Sequence, residues 1–234
     1  MYGVNPVLEY LAEKNPAQKL ILSSGLTPDS KIQEILRLAN EENVPLFQLP
    51  RQQIDDICNS RSHQGVVLYS EEYRYSDLAT ILGSAAPIIV LDHITDPQNL
   101  GAIIRSAAAF NANIVLPNAR SASVNATVWK TSAGNALKTK IAQVANLNNT
   151  VETLQKAGYF VVGLDGEAEI KIDDPIVLDN PRIAIVAGNE GTGLSALTAK
   201  KCDVLAKIPT AVESLNVAQA VTVTLYQISA ILGQ

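Results

Sequence analysis

An α/β fold with a mainly parallel sheet covered on both faces, preceded by a smaller α/β unit, is predicted by three observations. From Ile88 onward, six short apolar runs alternate with helical stretches, the pattern of parallel strands buried on both faces. Residues 70–77, Ser-Glu-Glu-Tyr-Arg-Tyr-Ser-Asp, are polar with no apolar period and read as a linker. The chain has 234 residues, 47% hydrophobic and 18% charged, which suits one large domain or a small one joined to a medium one and excludes disorder.

The amino-terminal part opens with an amphipathic stretch near Val7 to Ala12, then the strand-like Lys19-Leu-Ile-Leu-Ser. An Asp29/Ser30 cap starts a helix through Leu38, and a second strand runs Val44 to Leu49. A short helix around Gln53 to Cys58 leads to Ser62-His63-Gln64-Gly65-Val66-Val67-Leu68, a turn feeding a third strand. After the linker come a small helix to Leu82 and a turn at Gly83 to Pro87. The strands that follow are Ile88 to Leu91, Asn113 to Leu116, Lys140 to Val144, Tyr159 to Val162, Ile183 to Ala187 and Val204 to Ile208. Helices fit Leu100 to Phe110, Thr127 to Ser132, Thr150 to Ala157 and Ser195 to Lys201, with a last one from Ser214 to about Leu232. This divides the chain into 1–70, a linker 71–86, and 87–234.

No run of about 18 uncharged apolar residues precedes the last helix, and Met1 leads into Tyr-Gly-Val-Asn-Pro without the regions of a signal peptide, so a cytoplasmic location is expected. Cys58 and Cys202 stand in unlike contexts and read as reduced, half-buried thiols. His63 and His93 have no second His or Cys at ligand spacing, so no metal site is expected. A loop histidine satisfied by backbone is the preferred reading of His93. Trp129, Tyr73, Tyr75 and Tyr159 could stack bases, and core or linker packing is the preferred alternative.

Three loops carry the candidate chemistry, and ligands of such sheets bind beyond the carboxyl ends of the strands. The first is Asp92-His93-Ile94-Thr95-Asp96-Pro97-Gln98-Asn99-Leu100-Gly101, opening a helix that contains Arg105. Asn99 can cap or hold a polar ligand; alone, Arg105 reads equally well as a surface residue. The second is Gly188-Asn189-Glu190-Gly191-Thr192-Gly193-Leu194-Ser195. Its GxxGxG follows the fifth strand, whereas a dinucleotide fingerprint follows the first. Glu190 would repel a pyrophosphate, so a cationic or neutral ligand fits better, unless the glycines serve only backbone angles. The third runs from Pro209 through Ser214-Leu215-Asn216-Val217, with Ser214 as expected N-cap and Asn216 in the first turn.

Taken together, Asp96-Pro-Gln-Asn-Leu-Gly with Arg105, then Gly188-Asn-Glu-Gly-Thr-Gly-Leu-Ser, then Ile208-Pro with Ser214-Leu-Asn-Val resemble the three motifs of the SpoU (TrmH-like) family of RNA ribose 2'-O-methyltransferases. Tyr2-Gly-Val-Asn-Pro-Val-Leu-Glu and Ser62-His-Gln-Gly-Val resemble the amino-terminal substrate-binding domain of its ribosomal-RNA subgroup, similar in fold to the kink-turn-binding ribosomal proteins.

The resemblance implies a SPOUT fold whose carboxyl-terminal part threads a trefoil knot, a homodimer, and S-adenosylmethionine as cofactor. It implies cofactor contacts at Gly188, Asn189, Gly191, Ile208 and Leu215, with Leu164 of the Leu164-Asp165-Gly166 turn nearby. Arg105 matches the catalytic arginine, and Asn99, Glu190, Ser214 and Asn216 its polar partners. A sulfonium makes Glu190 electrostatically sensible where a phosphate did not. Arginine is a poor base, which favours Arg105 as phosphate clamp and alkoxide stabiliser over Arg105 as base; both stay open. The third motif is shorter than the family's and lacks its glycine, which implies a tighter knot loop. The apolar last helix, with Leu215, Val217, Val221, Val223, Leu225, Ile228 and Ile231, suits dimer burial. The implied activity is methylation of a ribose 2'-hydroxyl in structured RNA, ribosomal RNA first. The alternatives are a catalytically silent RNA-binding or ribosome-assembly protein of the same fold, or a tRNA 2'-O-methyltransferase.

The net charge of -5 argues against RNA only until it is located. Pro97 to Val151 contains no Asp or Glu, and Arg105, Arg120, Lys130, Lys138 and Lys140 make it a candidate basic face for the RNA backbone.

Overall fold

A computed structural model describes residues 1–212 and 214–230 in full and 231–232 as backbone. The chain forms two compact units, Met1–Arg74 with Val124–Leu137, and Tyr75–Ser123 with Lys138 onward.

In the first unit, α1 (Val4–Ala12), β1 (Ala17–Ser23), α2 (Ser30–Glu41), β2 (Leu46–Leu49), α3 (Arg51–Cys58) and β3 (Val66–Ser70) build a three-stranded sheet of order β2-β1-β3. β1 is parallel to β2 and antiparallel to β3. Asp29 caps α2 by accepting from the Ile32 amide at 2.9 Å. One core gathers Tyr2, Ile21, Ile54 and Val67. The Ser62–Gly65 turn is fixed from within: His63 is fully buried, its Nε2 lies 2.6 Å from Asp55 Oδ1, and its Nδ1 accepts from the Gly65 amide at 2.9 Å. Gln64 Oε1 in turn accepts from the Val4 amide at the head of α1.

The helix expected at Thr127 to Ser132 within the second domain forms as α6 (Ala126–Thr131), but it packs in the first unit. Its Trp129 is buried and meets Tyr10 and Tyr73 edge to face, with centroids 5.7 and 5.9 Å away. Trp129 is therefore core in this unit.

The second unit continues with α4 (Leu78–Leu82), β4 (Ile88–Asp92), α5 (Pro97–Ala109), β5 (Asn113–Pro117), β6 (Ile141–Val144), α7 (Leu147–Lys156), β7 (Phe160–Leu164), β8 (Ile170–Lys171), α8 (Pro175–Leu178), β9 (Ile183–Gly188), α9 (Ala196–Lys201), β10 (Val204–Lys207) and α10 (Val217–Leu232). Its seven strands are all parallel, in the order β6-β5-β4-β9-β7-β10-β8. β9 is inserted between β4 and β7, and β10 between β7 and β8, so space order departs from chain order twice. One face packs Ile88, Val90, Val115, Val161, Ala184 and Val186 against Ile81 of α4 and Leu147, Val151 and Leu154 of α7. The alternate residues Ile89, Leu91, Ile114 and Ile185 are as deeply buried on the other face, where α5 and α10 pack together. Burial on both faces is why these strands read as continuous apolar runs.

Three details differ from expectation. The two-residue β8 is too short to show a period. α5 is capped by Asp96, which accepts from the Gln98 amide at 2.9 Å with Pro97 behind it, so Asn99 is free of capping. α10 begins at Val217 and its cap is Asn216, whose Oδ1 accepts from the Ala218 amide at 2.9 Å; Ser214, the expected N-cap, lies outside the helix and is exposed. No helix among the described residues is long and apolar enough to cross a membrane. The side chain of Ile231 lies outside the described residues.

Candidate active site

Because β4, β9, β7 and β10 are adjacent and parallel, their carboxyl ends put Asp92, Gly188, Leu164 and Lys207 in a row, and the three motif loops leave from that row. Asn99 and Asn216, on the first and third loops, converge there on Glu190 of the second. Asn216 Nδ2 donates to Glu190 Oε1 at 2.6 Å and to Asn99 Oδ1 at 3.0 Å, and Asn99 Nδ2 donates to the same Glu190 oxygen. Asn99 is buried, while Glu190 and Asn216 are exposed. Glu190 Oε2 makes no hydrogen bond among the described residues. The result is a carboxylate with one oxygen held by two side-chain amides and the other without a partner among the described residues.

The loop bearing Glu190 is tightly made. Asn189 and Gly193 exchange backbone hydrogen bonds at 3.1 and 2.8 Å, and the Gly191 amide donates to Asn189 Oδ1 at 3.1 Å. A Cβ at Gly188 would stand 2.2 Å from the carbonyl carbon of Gly193, so only glycine lets the two limbs approach. Asn189 Nδ2 also donates to the His93 carbonyl at 2.9 Å, and the Ser195 amide donates to Asp92 Oδ2 at 2.9 Å. Asp92 is 2% exposed; burial alone would push its carboxyl up, but hydrogen bonds from the Ser195 amide, His93 and the Thr198 and Ser195 hydroxyls outweigh it and hold the carboxyl below the usual range. His93 is satisfied by this carboxylate, Nδ1 to Oδ1 2.5 Å, instead of by backbone. Asp92 was the residue that sequence reasoning passed over: a carboxylate ending a buried strand breaks the apolar run, and that break was its signal.

The proposed cofactor residues Gly188, Asn189, Leu164, Ile208 and Leu215 are each half-buried and Gly191 exposed, on loops that follow β9, β7 and β10. Ser214 is exposed and makes no hydrogen bond among the described residues, so it does not join the Asn99–Glu190–Asn216 cluster. Arg105 stands six residues past Asn99 on α5, about 9 Å along the helix axis. It is exposed and has no ion pair or hydrogen bond among the described residues.

Of the five basic residues expected to share a face, the four in the second unit are not gathered at one end of its sheet. Arg120 sits in the loop after β5, at the motif end of the sheet, where Ser121 and Ala122 donate to the Ile94 carbonyl. Lys138 and Lys140 precede β6 and line, with Asn111 and Asn113, a recess of about 290 Å³ at the amino ends of the strands, with no motif-loop residue in its wall. Lys130 belongs to the first unit, where its ammonium bonds the Ser62 carbonyl and lies 5.6 Å from the Tyr2 ring centroid.

Cys202 is partly buried under the same loop; burial, with Asp203 and Asp92 nearby, pushes its thiol up to about 12, which makes it no nucleophile.

Residues 86–226 match the family described as the SpoU rRNA Methylase family. The chain belongs to that family of RNA methyltransferases. Residues 1–76 match a second description, RNA 2'-O ribose methyltransferase substrate binding, so the two matches cover nearly all of this SpoU protein. A tRNA/rRNA methyltransferase of Mycolicibacterium smegmatis, itself uncharacterized, is 40% identical over 236 residues, covering 97% of this chain and 74% of its own. Among solved structures, the AdoMet-bound rRNA methyltransferase of Sinorhizobium meliloti superposes with a TM-score of 0.81 at 24% identity, over 99% of this chain and 87% of its own. AviRb of Streptomyces viridochromogenes, in complex with AdoMet, gives 0.79 at 24% identity over 98% and 88%. At that identity the likeness to both structures is one of fold.

Proposed function

We propose that this SpoU protein transfers a methyl group from S-adenosylmethionine to a ribose 2'-hydroxyl of structured RNA, with ribosomal RNA as substrate. The observation that carries the reading is the convergence of Asn99, Glu190 and Asn216 from three separate loops onto one carboxylate. The donor set fits this cofactor. Half-buried backbone at Leu164, Gly188 and Ile208 lines the ends of three neighbouring strands, and the charge placed there is negative, which suits a sulfonium and disfavours a phosphate. Gly188, Asn189, Gly191, Ile208, Leu215 and Leu164 would hold it. When bound, it supplies an electrophilic methyl next to a positive sulfur.

The chain's own residues do the rest. Asn99 and Asn216 hold the Glu190 carboxylate in one orientation, so its charge faces the crevice without reorganisation during reaction. Arg105 offers a guanidinium to an RNA phosphate and to the 2'-oxygen; as that oxygen gains the methyl group, whose bond to sulfur breaks, the hydroxyl proton leaves to solvent water. Arg120, on the loop tied to Ile94, extends the same basic edge. Ser214, exposed beside Leu215, remains a candidate contact to substrate. The uncharged α10, with Val223 and Tyr226 exposed at 42% and 63%, supports a homodimer through this helix. The two β insertions support the threaded, knotted passage of the family fold.

The silent RNA-binding alternative draws on the distance of Arg105 from the Glu190 cluster. One experiment separates the readings: calorimetric titration with S-adenosylmethionine, then tritiated methyl transfer to ribosomal RNA and to tRNA by wild type and Arg105→Ala. The expected result is cofactor binding by both proteins and transfer to ribosomal RNA by wild type alone. Binding without transfer to either RNA supports the silent alternative, and transfer to tRNA alone supports the third.

A further inference from the structure

Asp92 is a carboxylate with 2% exposure at the end of a central strand whose other four residues are Ile, Ile, Val and Leu. For stability alone an apolar side chain would serve there at least as well, because a buried charge must first recover its desolvation cost. What the carboxylate does that leucine cannot is accept hydrogen bonds from defined directions. Oδ2 accepts from the Ser195 amide at 2.9 Å, across 103 positions of sequence. Oδ1 accepts from His93 Nδ1 at 2.5 Å.

These bonds fasten the two ends of the glycine-rich loop to adjacent residues, the exit to Asp92 at the end of β4 and the entry to His93 just after it. At the exit, Ser195 is held by Asp92 and then caps α9, accepting from the Thr198 amide at 3.3 Å. At the entry, Asn189 donates to the carbonyl of His93, which can receive it because His93 adopts a left-handed φ of 61°. The imidazole bond to Asp92 supports that conformation. Between the two fastened ends stands Glu190, already met by Asn99 and Asn216. Entry, exit and tip of the loop are thus each held by a hydrogen bond to another segment.

We infer that Asp92 is a positioning residue for the methyl-transfer reaction: through Ser195 and His93 it sets the place of the loop 188–195 and so the affinity for the cofactor. This rests on the proposed use of S-adenosylmethionine. Asp92 touches neither the reacting atoms nor, through its own side chain, the crevice, so its removal acts on binding before it acts on chemistry.

The test compares wild type, Asp92→Asn and Val151→Ala, the last a cavity in the α7 core remote from the loops. Measured are the Kd for S-adenosylmethionine, the melting temperature, and kcat at saturating cofactor. Asp92→Asn is expected to raise Kd at least tenfold while kcat at saturation falls less; Val151→Ala is expected to lower the melting temperature with Kd unchanged. A Kd for Asp92→Asn within twofold of wild type overturns the inference, as does an equal rise of Kd in Val151→Ala. Should Asp92→Asn not fold, amide hydrogen exchange on the wild-type protein decides. A Ser195 amide as protected as those of β4 supports the anchor, and one exchanging as fast as Gly191 overturns it. Failure of wild type to bind S-adenosylmethionine overturns the methyltransferase reading itself, and is recognisable because it precedes any comparison of variants.

Discussion

Glu190 places a negative charge where two side-chain amides already occupy one of its oxygens, and its other oxygen accepts no hydrogen bond among the described residues. Replacing it by glutamine keeps the shape and an oxygen to accept from Asn99 and Asn216, and removes the charge. Glu190→Gln is therefore expected to lower methyl transfer by about two orders of magnitude, the scale of losing one preorganised electrostatic contact in an active site. Single-turnover transfer to ribosomal RNA measures it, and an effect below threefold removes the charge from the mechanism. Asn99, Glu190 and Asn216 were legible in the sequence as residue types at motif spacing. Their mutual contact was not, since 91 and 117 positions of chain separate the partners and no local pattern encodes which loops share a sheet end. Asp92 was harder still: its break of the apolar run marks it in the sequence, but at a strand end that break also fits the start of a polar loop, and its burial decides between them.

At the level of elements, the periodic segments were legible because a strand buried on both faces has nothing polar to spend on solvent. Ownership of a segment was not. α6 follows the first strands of the parallel sheet in sequence, yet Asn125 caps it within the other unit and Trp129 packs on Tyr10 and Tyr73. Trp129→Ala should cost about 3–5 kcal/mol of that unit's stability. Thermal unfolding followed by tyrosine fluorescence checks this, and a loss under 1 kcal/mol would return Trp129 to the candidates for base stacking. The start of α10 was misplaced for a physical reason: serine and asparagine both cap helices, and the choice of Asn216 over Ser214 depends on the tertiary position of the loop. Of the apolar residues expected to serve a dimer, Val217, Val221, Leu225 and Ile228 are buried within the chain and Val223 is exposed, and the dimer has a direct test. Tyr226→Asp puts a charge on the exposed helix face beside Phe110, whose ring centroid is 6.4 Å from that of Tyr226, and is expected to convert a dimer to monomer in light scattering. A wild type that is already monomeric at micromolar concentration would refute the dimer.

For the molecule as a whole, composition predicted a folded protein with a local basic stretch, and the sheet then divided that stretch. Arg120 lies at the motif end and Arg105 part-way along α5, whereas Lys138 and Lys140 lie at the amino ends of the strands. RNA binding should follow the first pair. Arg120→Ala is expected to weaken binding to ribosomal RNA and reduce the slope of log K against log salt by about 1, and Lys140→Ala to leave the slope unchanged. Equal effects would restore a single basic face. The strand order carries a further consequence, for the time at which the protein acquires its activity. Asn99 leaves the ribosome early, but β9 must enter a ladder between β4 and β7, β10 must enter between β7 and β8, and Asn216 must follow both. Pairings of such high sequence separation form slowly. A nascent chain stalled between residues 208 and 215 therefore has both parts of the first unit and all seven strands of the sheet but lacks Asn216, and on the proposed reading is expected to engage RNA before it can modify it.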